Sequence, residues 1–310
     1  MFGVSAESAA EALRRGNLVA LPTETVYGLA ADATQRDAVA RIFTVKGRPA
    51  DHPLIVHLAS ATDVDAWAER TPDYARLLLA AYAPGPLTVI LPKRPHVHDV
   101  VTGGQQTVGL RVPAHPLAHA VIKLLGTGVA APSANRFGRV SPTTIEHVIA
   151  DIGDFLDPDD YLLDGGPCGV GVESTIVDCT GEQPRLLRAG AITVDMIEQT
   201  TGLDVLAADG TIRASGTLAS HYAPTATVHI VEDATSLQHQ GAGFIAPATV
   251  ATPTGMIRLL SAADDGTYAR DLYAALRASD EHGLTDVYAV LPEDHGLGTA
   301  VRDRLRRAAH

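Results

Sequence analysis

An α/β fold built on a mixed sheet is what this chain predicts, and three features carry that expectation. Short runs rich in Val, Ile and Leu recur, and helical patterns lie between several of them; such alternation builds a sheet covered by helices. A hairpin-like succession from Ser174 to Arg188 makes part of the sheet antiparallel, hence mixed. With 310 residues the chain also exceeds one typical core, so a large domain plus a smaller one is expected.

The N-terminal MFGVSAESAAEALRRGN patterns as an amphipathic helix carrying acids, without the basic-then-apolar order of a signal peptide. Strand runs follow: NLVALPT, PLIVHLA, LTVILP, TVGLRVP, GVAAPS, STIVDC and PRLLR. Between them the pattern predicts helices over Gln35–Thr44, Pro72–Tyr82, Pro116–Leu125 and Thr143–Ile149, with Ser141 or Thr143 as the cap of the last. Residues 202–226 are small, polar and weakly periodic, a linker composition long enough to suggest a functional segment. After it, TVHIV, GAGFIAP, GMIRLLS, a helix over Tyr268–Ala278, DVYAVLP and a last helix to Arg307 form a second α/β unit. The expected domains are 1–201, a linker over 202–226, and 227–310.

Apolar residues make up 46% and charged residues 19%, the ordinary balance of a globular protein. No apolar run approaches the roughly 20 residues that cross a bilayer, so no membrane partner and a cytoplasmic setting are expected. Two cysteines, Cys168 and Cys179, lack metal-ligand spacing and read as inert, partly buried thiols. The net charge of −12 argues against a general nucleic-acid coat protein. Between Lys93 and Arg139 six basic residues face one acid, whereas residues 151–164 hold six acids and no Lys or Arg. That local cationic stretch points to an anionic ligand, with ordinary charge scatter as the alternative.

Several clusters carry candidate chemistry. In LPTETVYGLAADA (residues 21–33) a dense row of hydroxyls stands where an apolar strand ends, which reads as the lining of a pocket for a small polar substrate. In KGRPADHPLIVHL, Lys46 and Arg48 share a face if extended, and a point charge beside a planar fork suits polyphosphate or carboxylate. His57 alternates with buried aliphatics and reads as a satisfied core histidine. PGPLTVIL reads as an architectural strand entry. Arg111 sits in an otherwise buried strand and needs a carboxylate partner, from the protein or from a ligand. AAPSANRFGRVSPTT offers Ser133, Asn135 and Ser141 as donors. The glycines of GGPCGVGVESTIVD suggest backbone amides aimed at an anion, but neither the P-loop nor the dinucleotide order is present. HExxH and GxSxG are also absent, and the pairs His96/His98 and His115/His119 lack a third ligand, so no metal site is expected.

Taken together and in order, PTETVYGLA, KGRP, PLIVH, PGPLT, VGLRVPAHP, APSAN, VESTIVD and LLRAG resemble the YrdC-like proteins. With HYAP (His221–Pro224) and the small second unit, the chain is similar to that family's two-domain form, the L-threonylcarbamoyl-AMP synthases. The resemblance implies a YrdC-like domain with a twisted mixed sheet around a central cavity, followed by a small Rossmann-like α/β domain. It implies a nucleotidyltransferase taking L-threonine, bicarbonate or carbon dioxide, and ATP with Mg2+ carried on its phosphates. The product, threonylcarbamoyl-AMP, would go to a separate tRNA threonylcarbamoyl-transferase machinery, with room for a weak tRNA contact.

The same resemblance assigns catalytic charge stabilisation and positioning to Lys46, Arg48, Ser133 and Asn135, with no covalent nucleophile. It assigns L-threonine to Thr25, His57, Arg111, Ala131 and Ser174, with Arg111 clamping the carboxylate. ATP falls to Arg48, His52, Thr107, Ser133, Ser141, Arg188 and Tyr222, the linker serving as a lid. Two departures stand out: His52 replaces a common Asn, and ASGTLASHYAP replaces an SPGM-type start, so no lid contact is assigned to residues 215–220. The rival readings are a YrdC-like carbamoyltransferase, which usually carries large extra domains, and an RNA-binding protein, which the acidic balance and 5% aromatic content oppose.

Overall fold

The computed structural model describes residues 1–217, 221–234 and 237–310. Among the described residues eleven strands form one sheet: β1 (Phe2–Gly3), β2 (Val19–Leu21), β3 (Gly28–Asp32), β4 (Ile55–His57), β5 (Leu87–Pro92), β6 (Thr107–Arg111), β7 (Val129–Ala130), β8 (Tyr161–Leu163), β9 (Thr175–Asp178), β10 (Arg185–Arg188) and β11 (Leu206–Ala207). Their order is β1-β8-β2-β3-β7-β4-β6-β5-β9-β10-β11. The sheet is mixed: β1-β8-β2 pair in parallel, β2-β3-β7-β4 antiparallel, and from β4 to β11 the two kinds alternate, with β9 and β10 forming the antiparallel hairpin that the sequence predicts.

The register already gathers chemistry. Arg111, the last residue of β6, pairs with His57, the last of β4, on one side and with Thr88 of β5 on the other. On the far side of β5, Leu87 pairs with Thr175, which carries Ser174 to the same edge. Arg188 closes β10 opposite Ile176. Strand ends thus bring cations and hydroxyls from distant sequence positions to one edge of the sheet.

Helix boundaries shift from the sequence expectation for local reasons. The helix expected over Gln35–Thr44 is Arg36–Lys46, and it stops at Gly47, whose φ of 62° only glycine adopts cheaply. Lys46 and Arg48 therefore do not share the face of an extended segment. The helix expected over Thr143–Ile149 is Ile145–Ile152, capped by the Thr144 hydroxyl rather than by Ser141 or Thr143. Strand β3 and strand β8 were not anticipated: β3 is hidden behind the hydroxyl row, and β8 interrupts the acidic stretch. In that stretch Asp160 Oδ1 accepts from Leu18 N at 2.7 Å, and Asp160 and Asp157 both pair with Arg41.

The second unit holds β12 (Thr227–Val231), β13 (Gly243–Pro247), β14 (Ile257–Ala262) and β15 (Asp286–Val290), all parallel, in the order β12-β15-β13-β14. Its helices are Asp265–Glu281 and Gly298–Ala308. Val26, Val140, Val172 and Tyr222 join the apolar core of this unit, so it packs directly on the first. Arg277 reinforces the contact through Asp151, with Nη2–Oδ2 at 2.6 Å. Among the described residues no helix is long and apolar enough to cross a membrane.

Candidate active site

One partly open cavity collects most of the sequence candidates. Thr25, Arg48, His57, Arg111, Ala131, Ser133, Ser174, Arg188 and Tyr222 all line it, together with Thr23, Glu173, Ser215, Gly216 and His221. Its free volume is about 40 Å³, room for a water or two. Usual small-molecule sites run to roughly 300–1,000 Å³, so substrates enter only if part of the wall moves.

The hydroxyl row has a definite division of labour. Thr23 Oγ1 donates to Val26 O at 2.6 Å and accepts from the amides of Thr25 and Val26, both at 3.2 Å. It is therefore the pin of a tight turn. Thr25 Oγ1 lies 2.9 Å from it, and since the Thr23 proton is taken, Thr25 donates and keeps acceptor capacity toward the cavity. Farther along, Ser174 Oγ and Thr88 Oγ1 share a hydrogen bond at 2.7 Å.

Arg111 takes its carboxylate partner from the protein, one of the two sources the sequence left open, and it still lines the cavity. Its Nη2 donates to Glu24 Oε1 at 2.7 Å, and its Nε donates to Gly85 O at 3.3 Å. Burial would raise the Glu24 carboxyl, but the charge and hydrogen bond of Arg111 hold it below its ordinary value. Glu24 lies inside the hydroxyl row of residues 21–33, and its alternation with Thr23 and Thr25 is the sequence signal that marks it.

Arg48 and Arg188 stand differently. Arg48 Nη2 donates to Pro53 O at 3.1 Å and to Ser215 Oγ at 3.4 Å, and its buried Nε has no partner among the described residues. Arg188 donates to Ser174 O at 3.0 Å, Ser174 Oγ at 3.1 Å and Ser215 O at 2.9 Å. Both guanidinium groups are buried, at 7% and 5% exposure, and neither has a carboxylate partner among the described residues. Burial pulls Arg48 down to about 10 and also lowers Arg188. Buried positive charge with only neutral acceptors is the electrostatic state that an incoming anion relieves.

Five candidates lie elsewhere. Lys46 is fully buried and donates to the carbonyls of Ser133 (2.5 Å) and Asn135, so its ammonium ties down the 133–135 loop instead of facing the cavity. Asn135 donates from Nδ2 to Arg136 O and Arg139 O at 2.9 and 2.8 Å, which closes the loop on itself. Ser141 is buried and donates to Glu173 Oε1 at 2.6 Å, behind the wall. His52 rests edge-on against Phe137 at 5.3 Å, outside the cavity lining. Thr107 lines a separate narrow cleft that shares Ile55 and Ser215 with the cavity. The Ala131 amide donates to Ile55 O at 3.0 Å, so only its backbone carbonyl side is offered.

The linker forms one wall. Ser215, Gly216, His221 and Tyr222 line the cavity, and Ser215 bonds both Arg48 and Arg188. The sequence assigns no contact to the lid positions 215–220. Ser215 now has two, and 218–220 lie outside the described residues. Tyr222 adopts a φ of 64° and stacks on Tyr273 at 5.5 Å. A non-glycine residue in that region is strained and needs surrounding structure to hold it.

The broader cationic stretch does not converge on the cavity. Of its six basic residues only Arg111 lines it; Lys93 pairs with Asp99 at 2.5 Å, and Arg136 lies over the Phe155 ring at 4.2 Å. The glycine run is also structural: the Val170 amide donates to Glu24 O at 2.7 Å, the Cys168 amide to Thr143 O at 2.9 Å, and Gly171, with φ of 81°, admits the backbone of Arg270 at a distance no Cβ tolerates. Both cysteines are buried and unbridged, and burial pushes the Cys168 thiol up to about 12.

Burial pulls the rings of His57 and His221 down to about 3, the charge of Arg111 adding to the effect at His57. Both stay neutral in the folded chain, whereas an unfolded histidine protonates near 6.5. The stability they contribute is fully present above about pH 6.5 and is lost as pH falls toward 3. Urea unfolding midpoints are therefore expected to drop steadily from pH 6.5 to 5, by up to about 1.4 kcal/mol per pH unit for each ring. A flat midpoint over that range would contradict the buried neutral state.

A family model named for Sua5, YciO and YrdC, and described as telomere recombination, matches residues 11–190. A model described as the threonylcarbamoyl-AMP synthase C-terminal domain matches residues 192–310. The threonylcarbamoyl-AMP synthase of Pyrococcus abyssi is 42% identical over 318 residues, spanning 97% of this chain and 93% of that one. That of Bacillus subtilis is 40% identical over 97% and 92%. The crystal structure of Pyrococcus abyssi Sua5 complexed with L-threonine superposes with a TM-score of 0.89 at 37% identity, covering 98% of this chain and 94% of that one.

Proposed function

The chain belongs to the Sua5–YciO–YrdC family, and from that premise we propose that it makes threonylcarbamoyl-AMP and pyrophosphate from L-threonine, bicarbonate and ATP. It is a nucleotidyltransferase, and the reaction is the first step of threonylcarbamoyladenosine formation in tRNA. One observation carries the reading for the cavity itself: two buried guanidinium groups, Arg48 and Arg188, face a hydroxyl-lined space without a carboxylate partner among the described residues. Such a space suits a polyphosphate beside a small hydroxylated amino acid.

The chemistry asks for positioning. Bicarbonate takes a proton and loses water to give carbon dioxide; the threonine amine adds to that carbon and releases a proton, giving a carbamate. A carbamate oxygen attacks the α-phosphorus, the bond to the bridging oxygen breaks, and pyrophosphate leaves with its electron pair. Carbamates decompose in water, so enclosure matters. Arg48 and Arg188 neutralise charge on the phosphates, while Thr25, Ser174 and Arg111 orient the amino acid. Lys46 and Asn135 act one layer back, by fixing the loop that carries Ser133. Ser215, Gly216, His221 and Tyr222 lift to admit substrates and return to exclude water.

The nucleotide enters as its magnesium complex, with the ion held by phosphate oxygens. The nearby carboxylates Glu24 and Glu173 are engaged with arginines. The product passes to a separate transferase acting on tRNA in the cytoplasm, and the net charge of −12 keeps any direct tRNA contact weak.

The test is pyrophosphate release from ATP, magnesium and bicarbonate as a function of added amino acid. Release should require L-threonine. Valine, isosteric but without the hydroxyl, should fall by about 10⁴-fold, and serine, one methyl shorter, by roughly 10–100-fold. Equal release with serine would contradict the assigned selectivity.

A further inference from the structure

Glu173 stands at the back of the cavity, buried, with no part in the chemistry above. Three groups hold its carboxylate: Ser141 Oγ donates at 2.6 Å, Tyr273 Oη at 2.9 Å and Arg304 Nε at 2.9 Å. Tyr273 and Arg304 both come from helices of the second unit. Arg304 is fully buried, pairs also with Asp303 at 2.7 Å, and lies 5.4 Å from the Tyr222 ring centre. Burial would raise the Glu173 carboxyl, yet the charges of Arg304 and then Arg188 hold it down at about 2. Arg188 lines the same cavity as Glu173 and donates to the carbonyl of the next residue, Ser174, at 3.0 Å, so two guanidinium groups lie near one carboxylate, and of the two Arg304 bonds it.

We propose that Arg304 is a positioning residue: by engaging Glu173 it leaves Arg188 uncommitted for the nucleotide phosphates, so the second unit sets nucleotide affinity from behind the wall. The proposal rests on the nucleotide reading of the cavity. A buried carboxylate without a partner is strongly unfavourable. Without Arg304, Glu173 recruits the other neighbouring cation, which is Arg188. That pairing draws Arg188 away from Ser174 and Ser215 and cancels positive charge where a phosphate would sit. It also releases Ser215, and with it one anchor of the lid.

The test compares the full-length chain with R304M and with E173Q/R304M, by calorimetric titration with magnesium–ATP and by the Michaelis constants for ATP and threonine. In R304M the ATP dissociation constant should rise at least about tenfold, while the threonine constant stays within about threefold. In E173Q/R304M a neutral amide makes no claim on Arg188, and ATP binding should return to within about threefold of the unsubstituted chain. A double variant as weak as R304M, or an R304M that binds ATP normally, would overturn the proposal. Should R304M fail to fold, the double variant decides alone: binding within about threefold supports the role, and a loss beyond about tenfold overturns it. A soluble, unsubstituted chain that binds no ATP would overturn the nucleotide reading itself and the proposal with it.

Discussion

Arg188→Ala is expected to raise the ATP requirement by about 100-fold or more while leaving the threonine requirement within severalfold. The magnitude follows from two charge-assisted hydrogen bonds to phosphate, each about 1.5–3 kcal/mol, made in a site closed to water. No protein carboxylate is left unpaired by the change, because the Arg188 donors now rest on Ser174 and Ser215 alone. Stability should therefore fall much less than activity. Initial rates of pyrophosphate release, with each substrate varied in turn, would show the split. Equal loss on both substrates would mean that Arg188 organises the whole cavity instead of binding the nucleotide.

Arg111→Ala should act on the other substrate and on stability together. The threonine requirement is expected to rise by about 100-fold or more, through loss of a buried charge facing a carboxylate. The same change strands Glu24, which is largely buried and paired with Arg111 at 2.7 Å; breaking one side of such a pair costs about 3–5 kcal/mol. The double variant E24Q/R111A separates the two effects. It should regain most of the lost unfolding free energy in urea titrations yet remain poor with threonine. Recovery of threonine use in the double variant would show that Arg111 serves only to neutralise Glu24.

The outline of both units was legible because strands and helices here follow hydrophobic pattern closely. β9 and β10, β4, β5 and β6 all fall on apolar runs of the sequence. The hydroxyl row after β2 was also legible as a pocket wall, and Thr23 and Thr25 do line the cavity, although Thr23 serves the turn as well. What the sequence could not show was which neighbour each charged group chooses. Lys46 looked like a companion of Arg48, but the turn at Gly47 sends its ammonium to the Ser133 and Asn135 carbonyls. Ser141 looked like a ligand donor, but Glu173 lies 2.6 Å away. Arg304 is 131 positions from Glu173, and no local pattern announces a contact of that span. Partner choice is a property of tertiary packing, whereas periodicity reports only which face of an element is buried.

A crystal structure of the chain with L-threonine, magnesium and a non-hydrolysable ATP analogue would place the reacting atoms directly. The amino acid should lie against Thr25, Arg111 and Ser174, with the α-phosphorus between Arg48 and Arg188 and with Ser215 displaced from both. A nucleotide bound anywhere else, with Arg48 and Arg188 still resting on Ser215 and Ser174, would show that the two arginines serve only to hold the linker.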